Sequence, residues 1–291
     1  MGEPMPLRLG ARTFADDEFA VMAIINRTPD SFFDQGATFD TDVALRAVDL
    51  AVADGADIVD IGGVKAGPGP DVDTAEEIRR VADFVSLVRR NHPSLVISVD
   101  TWRAEVGKAV VDAGADLLND AWGGHNPELA EVAASAGVGL VCSHAGGLPP
   151  RTDPHRVGYD DVVRDVVETV TRLADRAVSV GVRADGILID PAHDFGKNTR
   201  HSLEVSRRLD ELVATGWPVL VALSNKKFIG ETLDLATGER LSGTLAATAV
   251  AAWQGARVFR AHQVRETRQA LDMVASIRGN RQPAVSRRAL A

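Results

Sequence analysis

Eight short apolar runs, separated by longer amphipathic stretches, constrain this chain more than any other feature of its sequence. They are FAVMAII (Phe19–Ile25), ADIVDIG (Ala56–Gly62), LVISVD (Leu95–Asp100), ADLLND (Ala115–Asp120), VGLVCSH (Val138–His144), GILID (Gly186–Asp190), PVLVAL (Pro218–Leu223) and ARVFRAH (Ala256–His262). Each is apolar at successive positions, as a strand covered on both faces of a parallel sheet should be. The segments between them, such as AEEIRRVADFVSLVRR and YDDVVRDVVETVTRLADRAVSV, repeat apolar residues at three- and four-residue spacing and read as crossover helices. Asp73-Thr74 and Thr41-Asp42 stand where N-caps are wanted. Gly55, Gly114, Gly137, Gly181, Gly216 and Gly255 each fall between a helix and the next strand, where a left-handed residue ends the helix with least strain. Eight such units in roughly 250 residues match a single (β/α)8 barrel. An open doubly wound sheet is the alternative, but neither a GxGxxG nor a GxxxxGK[ST] phosphate loop is present.

Composition narrows the function classes. A net charge of −9 argues against a general nucleic-acid surface, which needs a basic face, but leaves room for a local cationic pocket. One cysteine, Cys142, excludes an internal disulfide framework and suits a reducing compartment. The N-terminal residues lack a signal-peptide pattern and no run approaches the ~20 apolar residues of a membrane helix, so a cytoplasmic location is expected. Residues 1–279 are expected to form the barrel, with a short hairpin before Phe19 closing its bottom. The basic, proline-containing segment 280–291 is expected to be a disordered tail.

In such a barrel the chemistry sits at the carboxyl ends of the strands. Here those ends carry Asp60, Asp100, Asn119, His144, Asp190 and the pair Arg260 and His262, with Asn26 after the first strand and Ser224-Asn225-Lys226-Lys227 after the seventh. A single such residue is often only a cap or turn residue. Together they predict one concave polar site that reads a hydrogen-bonding heterocycle and holds an anion. His92, His125, His155, His193 and His201 lack metal-ligand spacing and are read as solvent-exposed or capping, and Cys142 as core.

Specific motifs then follow in order: NRTPDSFFD (Asn26–Asp34), DIGG (Asp60–Gly63), SVDT (Ser98–Thr101), Asn119-Asp120, DPxxxFGK (Asp190–Lys197), KxFIG (Lys226–Gly230) and RAH (Arg260–His262). This series resembles the dihydropteroate synthases, the pterin-binding barrel family of folate biosynthesis, from about Val21 to Ile277. The family condenses 6-hydroxymethyl-7,8-dihydropterin pyrophosphate with p-aminobenzoate, releasing pyrophosphate. The resemblance implies that Asp100, Asn119, Asp190 and Lys226 hydrogen-bond the pterin. It implies that Arg260 stacks on the ring and, with His262 and Asn26, holds the pyrophosphate, with Mg²⁺ near Asn26. Phe195 would wall the p-aminobenzoate pocket, and Asp34 would face the exocyclic methylene where positive charge develops. It further implies a homodimer through late helices, where LSGTLAATAVAAW is apolar and small.

The resemblance breaks at the loops. The family's second loop reads Asp-(Ile/Val)-Gly-Gly-Glu-Ser-Thr-Arg-Pro, whereas Val64, Lys65, Ala66 and Gly67 occupy its Glu, Ser, Thr and Arg positions here. Its seventh-strand motif Ser-Arg-Lys-Ser is Ser224-Asn225-Lys226-Lys227, Arg27 replaces an apolar residue, and Ser143 replaces a Met. Losing one preorganised transition-state donor costs on the order of 10²–10³ in rate. The leading expectation is therefore a divergent, inactive or impaired paralogue that keeps binding of a pterin or a p-aminobenzoate analogue. An active synthase using Lys65, Lys227 or Arg27 instead, and a pterin-dependent methyltransferase, are the alternatives.

Overall fold

The computed structural model describes residues 6–28, 40–152 and 157–288. After a two-stranded antiparallel hairpin, β1 (Leu7–Leu9) and β2 (Arg12–Phe14), strands and helices alternate. The strands are β3 (Ala20–Asn26), β4 (Ile58–Gly62), β5 (Val96–Asp100), β6 (Leu117–Asp120), β7 (Gly139–Ser143), β8 (Ile187–Asp190), β9 (Leu220–Val221) and β10 (Val258–Ala261). They pair in parallel in the order β8-β7-β6-β5-β4-β3-β10-β9. A parallel bridge between Ile189 and Val219 joins the two ends and closes the barrel. The helices are α1 (Thr41–Ala53), α2 (Thr74–Asn91), α3 (Ala104–Asp112), α4 (Glu128–Ala136), α5 (Val162–Ser179), α6 (Thr199–Arg207), α7 (Leu209–Val213), α8 (Lys227–Leu233), α9 (Leu241–Gln254) and α10 (Val264–Ile277).

All six punctuating glycines have positive φ, between 68° at Gly137 and 113° at Gly255. The Asp73 cap holds, its carboxylate accepting from Glu76 N at 2.8 Å. The other expected cap is displaced by one residue: Asp40 caps α1, accepting from Asp42 N and Val43 N at 3.0 Å each, and Thr41 is already helical. The expected strand over Pro218–Leu223 shrinks to two residues. Pro218 has no N–H to give to a ladder, so it contributes only its carbonyl, which accepts from Ile189 N at 3.0 Å.

Strand alternation sorts the barrel into levels. Met22, Ile58, Val96, Leu117, Leu188, Leu220 and Val258 point inward low in the barrel and pack with Leu7, Leu9 and Phe14 of the hairpin, which plugs the bottom. Two residues further along the same strands come Asp60, Ser98, Asn119, Asp190 and Arg260. The intervening residues, including Val59, Ile61, Ile97, Val99, Leu118 and Ile189, face the helix layer and form the main core. The apolar lower level excludes water; the polar upper level is therefore lifted to the open end. Residues 281–288 are exposed and lie outside helices and strands.

Candidate functional site

The open end holds a cavity of about 160 Å³. Asn26, Asp100, Asn119, Asp190, Phe195, Lys226, Arg260 and His262 all line it, joined by Ser224, Lys65 and Ala66. Asp34, expected at the reacting carbon, lies outside the described residues, as does His155.

A charge network orders the floor. Arg260 donates through Nε to Asp60 Oδ2 at 2.6 Å and through Nη2 to Asp100 Oδ2 at 3.2 Å. Asp60, fully buried, also accepts from Ser98 Oγ at 2.6 Å and Asn119 Nδ2 at 3.1 Å. One carboxylate thus orients three neighbours, and Arg260 is the cation that makes its burial tolerable. In the sequence Asp60 is a strand-end carboxylate with no role implied for it. Its inward register, two residues before Gly62 and level with Ser98 on the neighbouring strand, was the available signal.

Asp100 stands above this pair with its carboxyl pushed up to about 7, by burial first, against the pull of Arg260, and then by the charge of Asp60. Burial likewise raises Asp190, although Ala192 N donates to it at 2.7 Å. Burial lowers Lys226, whose Nζ lies 4.4 Å from the Phe195 ring centroid and donates to His193 O at 2.9 Å. For Arg260, burial works against the cation, and the Asp60 and Asp100 carboxylates more than offset it. The floor therefore presents carboxyl acceptors, an amide and two cations around one cavity. Such a set can read a planar heterocycle whose edge mixes N–H donors with carbonyl and ring-nitrogen acceptors.

The loop after β8 carries Phe195 and is held from below by Lys197, the last residue of the DPxxxFGK motif. Lys197 Nζ, buried, donates to the carbonyls of His144 (3.0 Å), Phe195 (3.0 Å) and Ala192 (3.3 Å), and lies 2.7 Å from His144 Nδ1. Ala192 and Asp194 sit at φ of 48° and 70°, so this loop is strained and the ammonium is what over-determines it. Burial brings Lys197 down to about 7. His144 is pushed to about 4, by burial and then by Lys197, although its Nε2 meets Asp165 Oδ1 at 2.6 Å.

Two expectations need correction. Arg27 does not add charge to the cavity. It is buried against the Phe84 ring, 4.7 Å to the centroid, and donates to Thr41 Oγ1 at 3.1 Å, because α1 and α2 cover it from the side. His193 is neither exposed nor a cap: it stacks on Phe228 with centroids 5.5 Å apart, and burial holds it neutral at about 3. His92 is the C-cap residue of α2 and His201 belongs to the capping box of α6. Cys142 is buried and free, its thiol pushed up by burial, consistent with core packing. Asn225, at the arginine position of the seventh-strand motif, sits at φ 57°, a conformation that asparagine tolerates better than arginine does.

The model of pterin-binding enzymes matches residues 22–262. A Mycobacterium leprae protein called inactive dihydropteroate synthase 2 is 56% identical over 291 residues, covering 99% of this chain and 100% of its own. The Yersinia pestis dihydropteroate synthase in a sulfonamide drug complex superposes with a TM-score of 0.89 at 33% identity, over 95% of this chain and 100% of the other. The Coxiella burnetii dihydropteroate synthase in complex with pteroic acid gives 0.84 at 31% identity, over 94% and 98%.

Proposed function

This chain belongs to the pterin-binding enzyme family as a divergent relative of the dihydropteroate synthases, and from that premise we propose that it binds a pterin in the inner cavity and condenses it poorly or not at all. One observation carries the reading. The Asp60–Arg260–Asp100 network, with Asn119, Asp190 and Lys226 around it, is complete, while the loop that faces it brings Val64, Lys65 and Ala66 to the same cavity. Asp100, Asn119 and Asp190 would accept and donate along the pterin edge, and Lys226 would donate to it. Arg260 would face the ring and, with His262 and Asn26, the diphosphate.

Condensation needs more than a bound pterin. The amine of p-aminobenzoate attacks the exocyclic methylene as the bond to the diphosphate oxygen breaks, so charge develops on both sides of that carbon. Donors fixed at those positions before reaction supply most of the acceleration. Ala66 and Gly67 have no side-chain donors, and the Asn225 amide is already engaged, its Nδ2 donating to Gln263 Oε1 at 3.4 Å. A lysine supplies a point charge but not the fork of an arginine.

Asn26 is the residue to which we assign Mg²⁺. Among the described residues no cluster of three or more histidine, cysteine or acidic side chains could hold a metal. One amide oxygen on the cavity wall fits an ion that arrives with its phosphate oxygens and water, as Mg²⁺ commonly does. Such an ion would neutralise the departing diphosphate. We also propose a homodimer through α9 and α10, where Val250, Trp253, Met273 and Ile277 are all more than half exposed. No helix among the described residues is long and apolar enough to cross a membrane, and the free Cys142 goes with a cytoplasmic location.

The test pairs two measurements on the purified protein. With pterin diphosphate, p-aminobenzoate and Mg²⁺, dihydropteroate should form at least about 10³-fold more slowly than with an active synthase. Calorimetry should nonetheless detect pterin-diphosphate binding. Turnover at the rate of an active synthase would refute the loss of condensation, and absence of pterin binding would refute the cavity assignment.

A further inference from the structure

Past Phe195 the inner cavity gives onto a second chamber of about 520 Å³, and the two share Lys65, Ala66, Phe195 and Lys226. A single-ring acid does not fill a space of that size; pockets of roughly 300–1,000 Å³ accommodate drug-sized molecules. One side of the chamber is aromatic, formed by Trp122 and Phe195, whose ring centroids lie 5.0 Å apart. The other is cationic, with Lys65, Lys227 and Arg240 added to Lys226.

Among the described residues the only acidic one on its wall, Asp194, is engaged by the start of α8, accepting from Lys227 N at 2.6 Å and Phe228 N at 3.3 Å. Arg240 donates to the carbonyls of Asn225 at 3.0 Å and Leu235 at 3.1 Å. Lys65 makes no hydrogen bond or ion pair among the described residues. Five of the departures from the family motifs, Lys65, Ala66, Gly67, Asn225 and Lys227, line this chamber. Lys65 and Lys227 replace two serines, placing ammonium groups on its wall. Ala66 and Gly67 replace larger side chains, and a Cβ added at Gly67 would meet nothing within 4 Å. The substitutions that remove reaction donors therefore widen this space and charge it.

Resting on the pterin reading of the inner cavity, we propose that the outer chamber receives the anionic tail of an already condensed pterin. The ligand class is a pterin joined to an arylamine that bears further carboxylates, so the protein binds folate-type conjugates. The aryl ring packs against Phe195 and Trp122, and the tail carboxylates meet Lys65 and Lys227 as charge-assisted pairs.

The experiment compares dissociation constants of the full chain for 6-hydroxymethylpterin, pteroate and pteroylglutamate by calorimetry. Pteroylglutamate should bind about tenfold tighter than pteroate, the gain of roughly one charge-assisted contact. Because Lys227 is exposed and Lys65 half-buried, that ratio should shrink at 0.5 M salt. The double variant Lys65→Ser/Lys227→Ser should bring the ratio near one, with an unchanged circular dichroism spectrum and thermal melt showing that it is folded. Equal affinities for pteroate and pteroylglutamate, or a ratio unmoved by the double variant, would overturn the proposal while leaving the pterin cavity standing. Failure of all three compounds to bind would remove both.

Discussion

Replacing Asp60 by asparagine should separate charge from shape at the centre of the site. The amide can keep the geometry: its oxygen accepts from Asn119 and Arg260 where Oδ2 now does, and its NH2 donates to Ser98 Oγ where Oδ1 now accepts. What is lost is one negative charge beside a buried guanidinium. At about 4 Å and an effective dielectric near 20 that charge is worth about 4 kcal/mol. Asp100 remains 3.2 Å from Nη2 and relief of the Asp60–Asp100 repulsion works the other way, so a net destabilisation of about 1–3 kcal/mol is expected. A second consequence follows from the same charge. Asp60 helps to hold the Asp100 carboxyl up at about 7, so the variant should bring it below that value. A raised acid favours folding in its neutral form. Its contribution is full below the unfolded value near 4 and is lost as pH rises through about 7. Pterin binding uses the ionised acceptor, so wild-type affinity should rise with pH through about 7, and in Asp60→Asn the rise should come earlier. Guanidinium unfolding at pH 7.5 and pterin titrations from pH 5 to 9 read both effects. Unchanged stability together with an unmoved binding midpoint would refute the network.

Lys197→Met should cost about 2–4 kcal/mol, since it strands three buried carbonyls, and should weaken ligands that pack on Phe195. Because the folded value of Lys197 lies near 7, below its unfolded 10.5, its contribution is present at alkaline pH and lost as pH falls through 7. The stability gap between wild type and variant should therefore widen from pH 7 to 10, and a constant gap in denaturant titrations would contradict the assignment. Gly114→Ala puts a Cβ at φ 109° and 3.1 Å from Arg89 Cγ, so thermal melts should show a loss of about 1–2 kcal/mol; an unchanged melt would refute the strain. Trp253→Glu should convert a dimer into a monomer with an unchanged circular dichroism spectrum, and a wild-type monomer in light scattering would remove the α9–α10 interface.

Much of this protein was determined locally. Apolar runs of strand length, helical spacing between them and a glycine at each helix end need no long-range information, because backbone sterics and one-sided burial act within a few residues. So the eight strands, the bottom hairpin and the convergence of Asp100, Asn119, Asp190, Lys226, Arg260 and His262 on one rim could be read before any coordinates. Tertiary structure decided what depends on the neighbouring strand or helix. Asp60 became the hub because register set it beside Ser98 and under Arg260, a relation that spans 200 residues of sequence. Lys197 found its four acceptors, and His193 its stacking partner, only where loops from separate β/α units meet. Arg27 turned aside because α1 and α2 claimed it. Which way a polar side chain at a strand end turns is fixed by partners distant in the chain, and those partners exist only once the barrel has closed.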